Sequence, residues 1–270
     1  MTGISDHRET GPDATDLPEG PRVALVTGGG GDIGGVTCER LARDGWTVAV
    51  TDLDPDAAER VAARIAASGG SARATRMDVA DPDDIRTAVD LIGREYGRVD
   101  AVVCAAGIEP PQDLAAIEVS AWDLTLDVNV RGPALLAQAV LPWWRRQRSG
   151  SLVTITSRTW LGGAHPAYAA SKAGLVGLTR SLALELGPIG VTANAVAPSF
   201  VRTRFSAQRG DERLLDAYAE RARAATPLGV LVRPEDVANA VAFLASDQAA
   251  RITGEVLHVC AGSQLPLFVR

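Results

Sequence analysis

About seven times along this chain a short apolar run is followed by a longer segment with helical spacing, and that alternation constrains the fold more than any other feature. Val23-Ala24-Leu25-Val26, Val48-Ala49-Val50 and Ala101-Val102-Val103 are apolar at every position, as strands covered on both faces must be. Further strands are expected over 72–77, 151–156, 191–197 and 256–259, and helices over 33–44, 55–67, 82–96, 120–147, 168–186 and 235–245. Gly45 stops the first helix. Strand and helix in regular alternation give an α/β fold, a Rossmann-type doubly wound parallel sheet of about seven strands with helices on both faces.

Organisation follows from the same pattern. Residues 1–20 are polar and aperiodic, with Gly11, Pro12, Pro18 and Gly20, and read as a disordered N-terminal tail. No linker interrupts 21–270, so one nucleotide-binding domain is expected there. The stretch at about 200–228, rich in arginine and following a strand's C-terminal end, reads as a partly helical substrate lid. With 46% hydrophobic residues in 270, a large core can form.

Composition excludes several classes. A net charge of −6 argues against a nucleic-acid partner, which needs a basic face. No apolar run is long enough to span a bilayer, and the charged N-terminal segment lacks the apolar core of a secretory signal. Cys38, Cys104 and Cys260 are far apart, so neither a disulfide framework nor a metal site is expected, and the chain reads as cytoplasmic.

The turn after the first strand, Thr27 to Gly34, carries Gly28, Gly29, Gly30 and Gly31 before Asp32 and Ile33. Glycines there let backbone N–H groups approach a pyrophosphate at a helix N-terminus. Asp52 ends the second strand, where a carboxylate accepts the adenosine ribose hydroxyls and repels a 2′-phosphate; its alternative is a helix N-terminal carboxylate. With no arginine following Asp52 directly, NAD is favoured over NADP as cofactor. Asp78, ending the third strand, either reaches the adenine edge or serves a turn before Asp81-Pro82.

Tyr168 and Lys172 are four residues apart on an expected helix, one turn apart on the same face. A free tyrosine titrates near pH ~10, and an adjacent ammonium favours its phenolate, bringing it into the range of a general acid/base. Lys172 is the only lysine among 27 cationic residues, which suggests a task for its ammonium that arginine cannot do, the alternative being chance survival of a surface lysine.

At this point the sequence resembles the short-chain dehydrogenase/reductase family, single-domain branch, over about residues 22–263. The glycine turn resembles TGxxxGxG, and Tyr168-Ala169-Ala170-Ser171-Lys172 matches YxxxK. Asn129 matches the family's helix asparagine, which holds a proton-relay water, and Ser157 its catalytic serine. Cys104-Ala105-Ala106-Gly107 resembles NNAG, and the stretch 194–203, with Pro198, Val201 and Thr203, resembles NxxxPGxxxT, whose threonine contacts the carboxamide. The resemblance implies a catalytic set of Ser157, Tyr168, Lys172 and Asn129. It implies a cofactor site of Gly28, Gly30, Gly31, Asp32, Ile33, Gly34, Asp52, Leu53, Asp78, Val79, Ala105, Ala106, Gly107, Tyr168, Lys172, Pro198, Val201 and Thr203.

The expected activity is NAD-dependent interconversion of a secondary alcohol and a ketone, with a small-molecule substrate and a homotetramer or homodimer as assembly. A 3-oxoacyl-thioester reductase and a non-catalytic nucleotide sensor are the alternatives. Four departures matter. Asp32 replaces a glycine and is expected to point away from the phosphates while favouring the helix N-terminus. Cys104 replaces an asparagine, and Ser199 a glycine. The interval from Ser157 to Tyr168 is short at 11 residues, leaving Thr156 and Thr159 as further hydroxyl candidates. Trp160 is a pocket wall or loop packing, and His165 a loop residue. Trp143 and Trp144, with the apolar faces of 120–147 and 168–186, are expected at a subunit interface, with core packing as the alternative. The arginines at 202, 204, 209, 213, 221 and 223 read as a solvated helix face or an attractor for an anionic substrate.

Overall fold

A computed structural model describes residues 20–207 and 212–265. The expected tail, apart from Gly20, and the lid's Arg209 lie outside the described residues. Among the described residues, seven parallel strands form one sheet: β1 (Val23–Thr27), β2 (Thr47–Asp52), β3 (Ser71–Arg76), β4 (Ala101–Cys104), β5 (Gly150–Ile155), β6 (Val191–Pro198) and β7 (Val256–Val259). Their order is β3-β2-β1-β4-β5-β6-β7. The order reverses between β1 and β4, and the crevice beyond the strand ends at such a switch point is where ligands bind.

The helices are α1 (Asp32–Arg43), α2 (Pro55–Ala67), α3 (Pro82–Tyr96), α4 (Val119–Leu126), α5 (Gly132–Gln147), α6 (Thr159–Gly162), α7 (Pro166–Leu186), α8 (Arg204–Ala207), α9 (Glu212–Ala224) and α10 (Pro234–Ala245). Two cores result, one on each face of the sheet. Ala24 and Val26 pack with Leu41 of α1, Val61 of α2 and Val241 of α10. Val23 and Leu25 pack with Ile85 of α3, Leu136 of α5 and Leu186 of α7. Successive strand residues point to opposite faces, which is why the strand runs had to be apolar at every position. Asp54 and Asp81 start α2 and α3 by accepting N–H bonds from the first helical turn, each followed by proline.

The helix expected over 120–147 is broken in the middle. α4 and α5 are joined by a π-helical segment, Asp127–Arg131. Pro133 has no N–H for the carbonyl of Asn129, and its ring crowds that carbonyl, so the helix widens there. Trp144 is fully buried and Trp143 packs against the same core, its ring filling the space above Gly93. Trp144 is therefore a core residue, the alternative to the interface expected for it, and Trp143 is half-buried against the same core. No helix among the described residues is long and apolar enough to cross a membrane.

Candidate active site

α7 places the Tyr168–Lys172 pair. Pro166 starts the helix with its fixed φ, and Tyr168 and Lys172 fall on the face turned to β5. The attachment is specific. The Thr156 hydroxyl donates to the Lys172 carbonyl oxygen at 2.8 Å, and Lys172 Nζ donates to the Ile155 carbonyl oxygen at 2.9 Å. Nζ lies 5.5 Å from the centre of the Tyr168 ring. Lys172 is 4% exposed. Burial lowers its pKa from 10.5 to about 8, with the Glu109 carboxylate, then Cys104, acting in the opposite direction.

Asn129, in the π-helical segment, supports this pair from behind. Its Oδ1 accepts from the Ile108 N–H at 2.9 Å, and its Nδ2 donates to the Ile108 carbonyl at 2.9 Å and to Ser171 Oγ at 3.0 Å. Ser171 Oγ in turn donates to the Tyr168 carbonyl. Asn129 does not line the cavity; it clamps the loop after β4 against α7.

The cavity, about 1040 Å³, lies beyond the C-terminal ends of the strands and is lined by every expected cofactor residue. In the glycine turn, Gly28 has φ +62°, and a Cβ there would sit 2.7 Å from the Ala106 nitrogen. A Cβ on Gly34 would sit 2.1 Å from the Gly28 carbonyl oxygen. The turn thus closes tightly enough to present its backbone to a ligand, which no larger residues at these positions allow. Asp52 accepts from the N–H of Gly30 at 2.9 Å and of Asp54 at 3.0 Å, so its carboxylate is fixed at the cavity edge. The α2 cap is Asp54, so Asp52 is not the helix cap. Asp78 serves the turn, accepting from the Ala80 N–H, and it also lines the cavity.

Of the three hydroxyl candidates, Thr156 is committed to the Lys172 carbonyl. Ser157 lines the cavity, and its Oγ accepts from the Thr159 N–H at 3.2 Å, which leaves its own proton to donate. Thr159 Oγ1 is buried without a hydrogen-bond partner among the described residues. The short interval to Tyr168 is absorbed by the single turn of α6 and by Gly163, at φ +83°. Trp160 is loop packing: its ring stacks on His258 with centres 6.0 Å apart. His165 is a loop residue held by the Gln112 carbonyl.

Several cavity residues were not legible as site residues. Phe200, Phe205 and Tyr218 come from the expected lid and make an aromatic wall. Phe205 lies 6.1 Å from the Tyr168 ring, and Tyr218 meets Phe200 edge-on at 4.8 Å. Glu109 is buried beside Lys172; its signal was a charge just after the motif Cys104–Gly107, at a position that the motif does not include. The arginine cluster proves largely paired. Arg202 bonds Asp216, Arg223 bonds Glu220, and Arg204 bonds Asp32, while Arg221 reaches the cavity beside Tyr218. Asp32 therefore does not turn away from the cavity as expected; it lines the cavity and is bridged to the lid.

A family model described as enoyl-(acyl carrier protein) reductase matches residues 30–264. Subunit BbsD of the hydroxy(phenyl)methylsuccinyl-CoA dehydrogenase of Thauera aromatica is 36% identical over 90% of this chain and 97% of its own length. The short-chain reductase protein NovJ of Streptomyces niveus is 38% identical over 89% and 93%. The 3-oxoacyl-acyl-carrier-protein reductase FabG of Escherichia coli is 36% identical over 89% and 96%. The crystal structure of gox2181 superposes with a TM-score of 0.84 at 36% identity, covering 90% of this chain and 96% of that one. Sheet order, cavity and relatives agree, and the chain belongs to the short-chain dehydrogenase/reductase family of nicotinamide-dependent oxidoreductases acting on CH–OH groups.

Proposed function

We propose that this chain interconverts a secondary alcohol and a ketone with NAD(H), using Tyr168 as general acid/base. The observation that carries the reading is the sole lysine, buried and fixed to the Ile155 carbonyl, with its ammonium beside the Tyr168 ring in a cavity that also holds the glycine turn. A bound reduced nicotinamide supplies the hydride. The chain's residues do the rest. Tyr168 gives its phenolic proton to the ketone oxygen and takes it back in oxidation. The Ser157 hydroxyl donates to the same oxygen and orients it. The Lys172 ammonium stabilises the charge left on the phenolate and holds the nicotinamide ribose. Asn129 is assigned the inner end of the path by which the proton is replaced. Thr203, whose hydroxyl oxygen accepts the Ser206 N–H, keeps a proton to donate to the carboxamide.

Replacing Tyr168 with Phe removes the proton donor and keeps the ring. Turnover is expected to fall by at least about 10²–10⁴-fold, with NADH affinity, read by fluorescence, unchanged within about twofold. A near-native rate for this variant sinks the assignment.

The NAD preference rests on Asp52, whose carboxylate at the cavity edge would accept the ribose hydroxyls of a bound dinucleotide and repel a 2′-phosphate. In parallel titrations NAD is expected to bind more tightly than NADP; the reverse order overturns this reading of Asp52. A second reading, reduction of a 3-oxoacyl thioester, is favoured by the names of several relatives, FabG among them. Residues 21–270 are read as one domain with its lid at about 200–228. The three buried free thiols suit the cytoplasm. Exposed Val119, Leu124 and Leu184 on α4 and α7 suit a homodimer or homotetramer.

A further inference from the structure

Asp32 stands at the start of α1, where the pyrophosphate of a dinucleotide approaches the glycine turn, and a bare carboxylate there opposes binding. Arg204, which opens α8 in the lid, answers it with three bonds. Its N–H donates to Asp32 Oδ2 at 2.6 Å, Nε to Asp32 Oδ1 at 3.0 Å, and one Nη2 proton to the Gly30 carbonyl at 3.0 Å. A guanidinium has five N–H donors. Nε and one Nη2 proton are used, and the rest belong to a side chain that also lines the cavity.

We propose that Asp32 and Arg204 form a clasp between the glycine turn and the lid, which cancels the Asp32 charge and offers the remaining guanidinium donors to the cofactor pyrophosphate. The clasp rests on the dinucleotide reading above. It makes holding the cofactor and seating the lid a single event: the residue that neutralises the turn is the first residue of the lid helix. An arginine suits the task because its planar fork can bond Asp32 and Gly30 on one edge and a phosphate oxygen on another.

The test is NADH titration, followed by fluorescence, of four proteins: wild type, R204Q, D32G and D32G/R204Q, each checked for folding by circular dichroism. R204Q leaves Asp32 uncompensated and is expected to weaken NADH about tenfold. In the D32G background the same substitution is expected to cost no more than about threefold, so the double variant binds more tightly than R204Q alone. A purely structural role for Arg204 gives equal losses in both backgrounds. Equal losses, or an R204Q protein within twofold of wild type, overturn the clasp alone. A wild-type protein that binds neither NADH nor NADPH overturns the cofactor reading and the clasp with it.

Discussion

At Lys172 two opposing effects set the charge on which the site depends. Burial disfavours the ammonium and brings its pKa to about 8, while the carboxylate of Glu109 holds it from falling further. The group is charged below that pH and neutral above it. The kcat/KM for ketone reduction is therefore expected to fall as pH rises through about 8, because the charge that stabilises the departing phenolic proton's oxygen is lost. Glu109→Gln removes the supporting carboxylate, so the fall is expected at lower pH; a pH–rate profile that does not move shows that Lys172 is not the titrating group. The Tyr168–Lys172 pair was legible from spacing alone, since four residues on a helix always share a face. Glu109 was not, because its proximity comes from the loop after β4 folding back under Asn129.

Among the elements, the turn between β1 and α1 has the least freedom. Gly34 faces the Gly28 carbonyl so closely that a methyl group has no space, and the backbone must move to admit one. Gly34→Ala is expected to destabilise the protein by about 1–3 kcal/mol, read as a lower urea midpoint. A midpoint unchanged from wild type shows that the turn yields without cost. The glycines of this turn were legible from their place between an apolar run and a helix, but the bridge from Asp32 to Arg204 was not. The break in the long helix at Asp127–Arg131 was not predicted, although Pro133 carried the signal: a helix cannot keep its hydrogen bond to Asn129 across a proline. That Trp144 belongs to the core was not legible either, since an apolar helix face looks the same whether its neighbour is α3 or another subunit.

For the whole molecule, strand number and the two-faced core followed from apolar runs that matched the structure to within a residue or two. Residue pairs joined by the topology did not follow. Asp32 and Arg204 are 172 positions apart and meet only because β1 and β6 end at the same edge of the sheet. For the same reason a list of arginines could not show that Arg204 and Arg221 reach the cavity while Arg202 and Arg223 are paired outside it. The solitary lysine has a consequence of another kind. A lysine-specific endoprotease has a single side chain to recognise, and it lies inside a 21-residue helix packed on β6 and bonded to the end of β5. Cleavage after Lys172 requires α7 to leave the sheet, so the protease acts as a reporter of large-scale opening. Native protein is expected to stay whole over a time in which the urea-unfolded chain is cut into two fragments. Prompt cutting of the native protein would show that α7 detaches on its own, and with it the residue on which catalysis turns.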